Sequence, residues 1–322
     1  MVFGRNYDWV TETGVVNTNL RGLVKTSLQL DKGKTFQWTS KYGSITFNQY
    51  GKEFPTGGMN EKGLVVELMW LSESQFPNAD QRPALSVLQW IQYQLDNCSS
   101  IEEVIASDKN VRISAEGAPQ HYLVADANGN AATIEFLKGK MVVHRGNSLP
   151  YAVLTNSTYQ ESVQAVKTAT AKKDQRSFTD NSLQRFSTAC NMMNTYQSTA
   201  SAKPVVDYSF DILAAVSQGD FTKWSIVYDL SNKKVHFKTA SFNDVKTFSF
   251  AQFDLACTAK AVSFDMQQAA KGEVSKKFIN YSPETNTMKL KAAFAESRSQ
   301  IKVTEEDQEA MAALARAVKC KQ

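Results

Sequence analysis

Residues 48–71 read NQYGKEFPTGGMNEKGLVVELMWL. An aromatic-rich opening passes through Pro55 and the pair Gly57-Gly58 into Gly63-Leu64-Val65-Val66-Glu67-Leu68-Met69-Trp70-Leu71, a run too apolar for a solvent-facing loop. The pattern predicts a glycine turn that delivers a buried strand. Two glycines open backbone angles closed to other residues and let the chain pass close to a neighbouring element or a ligand. A plain turn between two core strands would share this pattern, so the stretch alone points to a fold before it points to a function.

Upstream, residues 2–9 read as a strand met in its middle, whose expected partner is an earlier strand. Residues 34–39 and 44–47 are short strand candidates around Tyr42-Gly43. Downstream, Pro83 is placed to open a helix in which Ala84, Val87, Leu88, Ile91 and Leu95 share one stripe, ending near Asn97. Ser100 followed by Glu103 has the form of a capped helix start. From Gln120 the period shortens: residues 121–126, 131–137 and 140–144 predict a meander closed by Asn128-Gly129 and Gly139.

Helices are expected over 157–172, over 182–196 with Leu183, Phe186, Cys190 and Met193 on one face, and over 209–217 with Gly219 as the stop. Alternation in Trp224, Ile226, Tyr228 and Leu230, then Val235 and Phe237, predicts a half-buried hairpin, with a further strand over 245–250. Acids after Thr304 and the bases Arg316 and Lys319 bracket a last helix in the sense its dipole prefers, with Met311, Leu314 and Val318 as its apolar stripe. Strands in two groups with helices between and after them suit a layered α+β domain. No repeat or low-complexity linker divides the chain, so residues 1–322 are read as a single domain.

The composition, 42% hydrophobic and 21% charged, suits a globular chain with a sizeable core. The 36 basic and 32 acidic residues nearly balance, and pairs such as Lys172-Lys173 and Lys276-Lys277 read as solvated faces, so no nucleic acid is expected as a partner. No apolar run approaches the ~20 residues of a spanning helix, and no membrane is expected. Cys98, Cys190, Cys257 and Cys320 lack metal-ligand spacing; a disulfide between two of them is neither required nor excluded. His121, His144 and His236 fall in predicted strands without a partner at ligand or triad spacing. Neither a metal nor a cofactor is expected. The N-terminus has no charged segment followed by an apolar run, so a periplasmic or secreted location would need a signal in an upstream segment.

Gly4-Arg5-Asn6-Tyr7-Asp8-Trp9, the 48–71 stretch, Leu154-Thr155-Asn156-Ser157, Gln184-Arg185-Phe186 and the segment from Trp224 to Leu230 occur in the order of the choloylglycine hydrolase and penicillin V acylase family. The likeness covers nearly the whole chain. The resemblance implies linear amide hydrolases of the N-terminal nucleophile class, built as a four-layer αββα sandwich of two stacked antiparallel sheets flanked by helices. It implies a small-molecule acyl amide as substrate, an acyl-enzyme route, and allows a homo-oligomer. The family's nucleophile is a cysteine at the mature N-terminus, upstream of the GRNYDW-like motif. No residue precedes Met1-Val2-Phe3 in this sequence. The expectation is a domain that lacks its first strand and, as it stands, hydrolyses no amide.

Amide cleavage needs a nucleophile, a base and donors for the oxyanion. By resemblance, Arg5 favours the thiolate and Asp8 holds the free amino group, while a surface ion pair between the two is the plainer reading. Asn156 matches the family's oxyanion donor, with the backbone N–H of position 70 as the second, although Thr155-Asn156-Ser157 could also cap the next helix. Arg185 matches an arginine presented from a helix, where a solvated helix arginine is the alternative. Trp70 falls where bile-salt hydrolases carry asparagine and penicillin V acylases carry tyrosine. There it favours an aryl or alkyl acyl group over a steroid amide, or is plain core. A binding or scaffold protein that uses the same pocket without cutting is the rival reading.

Overall fold

The structure is a computed structural model that describes residues 1–31, 35–168, 181–198 and 203–321, with Gln197 and Ser198 described by their backbone alone. Two stacked sheets dominate it. The five-stranded sheet runs in the order Val2–Asp8, Thr222–Asp229, Lys234–Thr239, Lys246–Ser249 and Gly272–Glu273, antiparallel except at the last pair. The nine-stranded sheet runs Lys140–Arg145, Ala131–Leu137, Gln120–Ala125, Val65–Trp70, Pro55–Asn60, Ser44–Asn48, Val15–Asn19, Val262–Asp265 and Ile279–Asn280.

Strand alternation decides the layers. Phe3, Tyr7, Trp224, Ile226 and Tyr228 of one sheet meet Phe47, Met59, Val65 and Leu123 of the other in the inter-sheet core. Leu64, Val66 and Leu68 point the opposite way, onto Trp90, Ile91 and Leu95 of the Val87–Asn97 helix. On the outer face of the five-stranded sheet, Phe210 and Leu213 of the Val205–Ala215 helix cover Val227. This is a four-layer αββα sandwich. A helical pair, Pro283–Ser297 and Glu305–Ala317, closes one end over Tyr50 and Phe54. Buried charge is matched by charge: Lys25 Nζ lies 2.8 Å from Glu53 and 3.1 Å from Asp96.

The deciding stretch folds differently from its reading. Gly57 and Gly58 are not a turn but lie inside the Pro55–Asn60 strand, opposite Glu67 and Val66; the turn is at Asn60–Gly63, where Gly63 has φ +85° and donates to the Asn60 carbonyl at 2.8 Å. A Cβ at Gly57 would sit 1.9 Å from Glu67 Oε2, so that carboxylate would have to move, and one at Gly58 would sit 2.6 Å from the Ile45 carbonyl. Glycine serves close approach here, not chain reversal.

Other boundaries shift for local reasons. Ser86, not Pro83, caps the first helix by accepting from Gln89 N, and Ala84–Leu85 instead pairs in parallel with Arg112–Ile113. The third predicted helix spans Val205–Ala215, and Gly219 opens a later 3-10 turn instead of stopping it. Ser100 caps its helix as read, and the last helix starts at Glu305 with Thr304 as its cap. Positions 34, 169–172 and Lys173 of the predicted elements and basic pairs lie outside the described residues. Among the described residues, the strand over residues 2–8 pairs with Thr222–Asp229, late in the chain.

Cys257 and Cys320 form a disulfide, with Cα atoms 5.7 Å apart. It joins the Lys319–Cys320 strand, paired with Leu23 and Val24, to the loop before Val262. No helix among the described residues is long and apolar enough to cross a membrane.

Candidate active site

A cavity of about 1140 Å³ opens between the sheets, and every residue from Met1 to Trp9 lines it. Arg5, Asp8, Trp70, Asn156 and Arg185 all border this one space. They arrive from separate elements: the first strand, the end of Val65–Trp70, the loop before Tyr159–Thr168, and the first turn of the Ser182–Ser198 helix.

Arg5 and Asp8 do not pair, because three residues along a strand place side chains on opposite faces. Arg5 points inward and is buried, its Nη1 lying 2.8 Å from Glu67 Oε2 and its Nη2 donating to the Leu68 carbonyl at 3.2 Å. Its guanidinium sits 4.6 Å from the Tyr7 ring centre, and Tyr7 stacks on Trp224 at 4.4 Å. Asp8 points to the helical side, where it accepts from Thr222 Oγ1 at 2.5 Å and Gln218 Nε2 at 2.7 Å.

Glu67, Tyr228, Gln218 and Thr222 therefore belong to the site's framework, and none was singled out from sequence. Burial pushes the Glu67 carboxyl up to about 7, although Arg5 and the Tyr228 hydroxyl, which donates to it at 2.5 Å, both draw it down. Burial likewise holds the Tyr7 and Tyr228 hydroxyls well above their ordinary range. The one usable signal was the strand pairing itself: a bare Gly57 opposite a carboxylate in an otherwise apolar run.

Asn156 is held at both ends of its amide. Its Nδ2 donates to the Trp70 carbonyl at 2.9 Å, and its Oδ1 accepts from Arg185 Nη2 at 2.7 Å. Asn156 thus sits on the cavity wall with its amide plane fixed from both sides. Arg185 is buried, not solvated; its Nε donates to Asn181 Oδ1 at 2.6 Å, burial lowers its pKa, and the Asp8 charge opposes that lowering. Ser182 accepts from the Asn156 backbone N–H at 2.9 Å and lies within hydrogen-bond distance of the Thr155 and Ser157 hydroxyls, at 3.0 and 2.9 Å. Ser182 thus fastens the loop to the helix that carries Arg185. Trp70 is half-buried beside Trp9, the ring centres 6.5 Å apart.

Among the described residues no cysteine borders the cavity. Cys190 is packed in its helix face, and burial raises its thiol to about 12, far from a reactive thiolate. No group of three or more metal-ligating side chains occurs among the described residues.

An N-terminal nucleophile hydrolase sandwich with this constellation defines a class. Residues 1–263 match the linear amide C-N hydrolases of the choloylglycine hydrolase family, and the chain belongs to that family. A penicillin V acylase of Pectobacterium atrosepticum is 34% identical over 175 residues, which span 48% of this chain and 45% of that relative's length. Among solved structures, penicillin V acylase from Agrobacterium tumefaciens superposes with a TM-score of 0.74 at 25% identity, covering 88% of this chain and 94% of its own. A conjugated bile acid hydrolase from Clostridium perfringens shares the fold, with a TM-score of 0.69 at 18% identity over 84% of this chain and 95% of its own.

Proposed function

We propose that this domain is the body of a linear amide hydrolase whose substrate is a small acyl amide with an aryl or alkyl acyl group, cleaved through an acyl-enzyme. The observation that carries the reading is the Asn156 amide, held between the Trp70 carbonyl and Arg185 on the wall of the cavity. A neutral amide held in place is a fixed dipole suited to a developing oxyanion, since it needs neither reorganisation nor a proton transfer. Trp9, Tyr50, Phe54, Trp70, Phe294 and Met311 give the same cavity an apolar wall, which suits a flat or flexible acyl group better than a rigid hydroxylated steroid.

In this reading the nucleophile is a cysteine on a strand upstream of Met1, with its own free amine as the base. Arg5 favours the thiolate, and Asp8, accepting from Thr222 and Gln218, orients the amine. The thiolate attacks the acyl carbon, the amine leaves with a proton, and water releases the acid.

The second reading, a binder that uses the pocket without cutting, is favoured by one observation: no described cysteine borders the cavity. The 322-residue chain and a version preceded by a strand whose first residue is cysteine separate the two. The extended protein should release amine from a panel of aryl- and alkyl-acyl amides, and the same extension beginning with serine or alanine should release far less or none. A folded, stabilised cysteine form that is never acylated by the panel leaves the binding reading in its place. Turnover by the unextended chain that survives Cys190→Ala would assign the attack to another residue.

A further inference from the structure

His121 has no place in the chemistry above, yet it is fully buried and its ring joins two parts of the site. Its Nε2 lies 2.6 Å from the Thr155 carbonyl oxygen and its Nδ1 lies 3.3 Å from Glu135 Oε1. A carbonyl oxygen can only accept, so Nε2 carries a hydrogen. An ionised carboxylate also only accepts, so a second proton must lie between Nδ1 and Glu135, on one or the other. Glu135 is fully buried on the neighbouring strand, takes the Tyr159 backbone N–H at 2.8 Å, and has the half-buried His144 Nε2 at 3.7 Å from its other oxygen.

The Thr155 carbonyl belongs to the peptide unit whose N–H is that of Asn156. That N–H donates to Ser182 Oγ at 2.9 Å. Because the peptide is planar, gripping its oxygen from the nine-stranded sheet and its N–H from the Ser182–Ser198 helix fixes its rotation. That rotation sets where the Asn156 side chain starts.

We infer that His121, held by Glu135, is the positioning residue for Asn156: it grips the Thr155 carbonyl from behind and so aims the Asn156 amide into the cavity. The grip itself is a statement about structure; its kinetic consequence rests on the hydrolase reading proposed above.

The test uses imidazole-¹⁵N labelling of the full chain, whose three histidines are assigned with His121→Gln, His144→Gln and His236→Gln. The expected result is His121 with Nε2 protonated, in the parent and equally in Glu135→Gln, where the amide can donate to Nδ1. The Asn156 side-chain amide signal, assigned with Asn156→Asp, should move or broaden in His121→Phe and stay near its parent position in His121→Gln, which keeps a donor for the Thr155 carbonyl. An Nδ1–H tautomer with bare Nε2 in the parent, or an Asn156 signal unmoved by His121→Phe in a protein that still folds, overturns the inference. In the cysteine-extended form, His121→Phe should lower kcat about 10²-fold with KM changed far less, the effect of a displaced donor, and His121→Gln should recover most of it. If the extended parent is inert the hydrolase reading fails, while the two spectroscopic readouts still decide whether His121 positions Asn156.

Discussion

Gly57 is bare because Glu67 occupies the space its Cβ would need, and Glu67 is there because Arg5 is. Gly57→Ala should lower unfolding stability by about 1–3 kcal/mol through overpacking. In a double-mutant cycle with Glu67→Ala the loss should be much less than additive, and additivity in denaturant titrations would show that the clash is relieved elsewhere. The same carboxylate gives a pH signature. Its ordinary value is 4.5 and burial raises it to about 7, so between those values the folded protein keeps a proton that the unfolded chain has released. Stability therefore falls as pH rises through that window. Glu67→Gln cannot titrate, so the difference in unfolding free energy between variant and parent should move in the variant's favour from pH 5 to pH 8. A difference that does not change with pH would contradict the burial argument.

At the scale of elements, Ser182 and the first strand matter most. Ser182 begins a helix and also closes the loop that carries Asn156, so Ser182→Ala should cost about 1 kcal/mol by leaving the part-buried Asn156 N–H without its acceptor. The loss should come with a shift of the Asn156 side-chain amide signal, and a stability loss without that shift would reduce Ser182 to a helix cap. Among the described residues, the Val2–Asp8 strand stands at the end of its sheet, paired with Thr222–Asp229 alone. Its other edge of N–H and C=O groups borders the cavity, and such an edge invites association. An added N-terminal strand should raise the melting temperature and suppress oligomer formation whether it begins with cysteine, serine or alanine, and calorimetry with light scattering reads both. An added strand that leaves Tm unchanged would mean that the edge is already satisfied.

For the molecule as a whole, the Cys257–Cys320 disulfide closes a loop of 63 residues that contains the Pro283–Ser297 and Glu305–Ala317 helices. Phe294, Ile301, Val303 and Met311 from this region form one wall of the cavity. Replacing both cysteines with serine should lower stability by about 4 kcal/mol through the larger freedom of the unfolded chain. A guanidinium titration with and without reductant measures it, and equal midpoints would show that the bond is not formed in solution.

Local pattern was enough for a layered α+β domain, the meander over 120–145 and the Trp224 hairpin, because strand alternation and caps are written within a few residues of one another; the four-layer αββα sandwich came from the family that the ordered motifs resemble. The same resemblance named Arg5, Asp8, Trp70, Asn156 and Arg185 as candidates. What it could not supply was the set of partners. That Arg5 meets Glu67 and not Asp8, that Gly57-Gly58 runs straight through a strand, that Ser182 and His121 grip one peptide, and that Cys257 finds Cys320 are all contacts between segments far apart in the chain. Such pairings arise only when stacking the two sheets excludes water and forces each buried polar group to find a partner, and that requirement acts on the folded whole and leaves no mark on the neighbouring sequence.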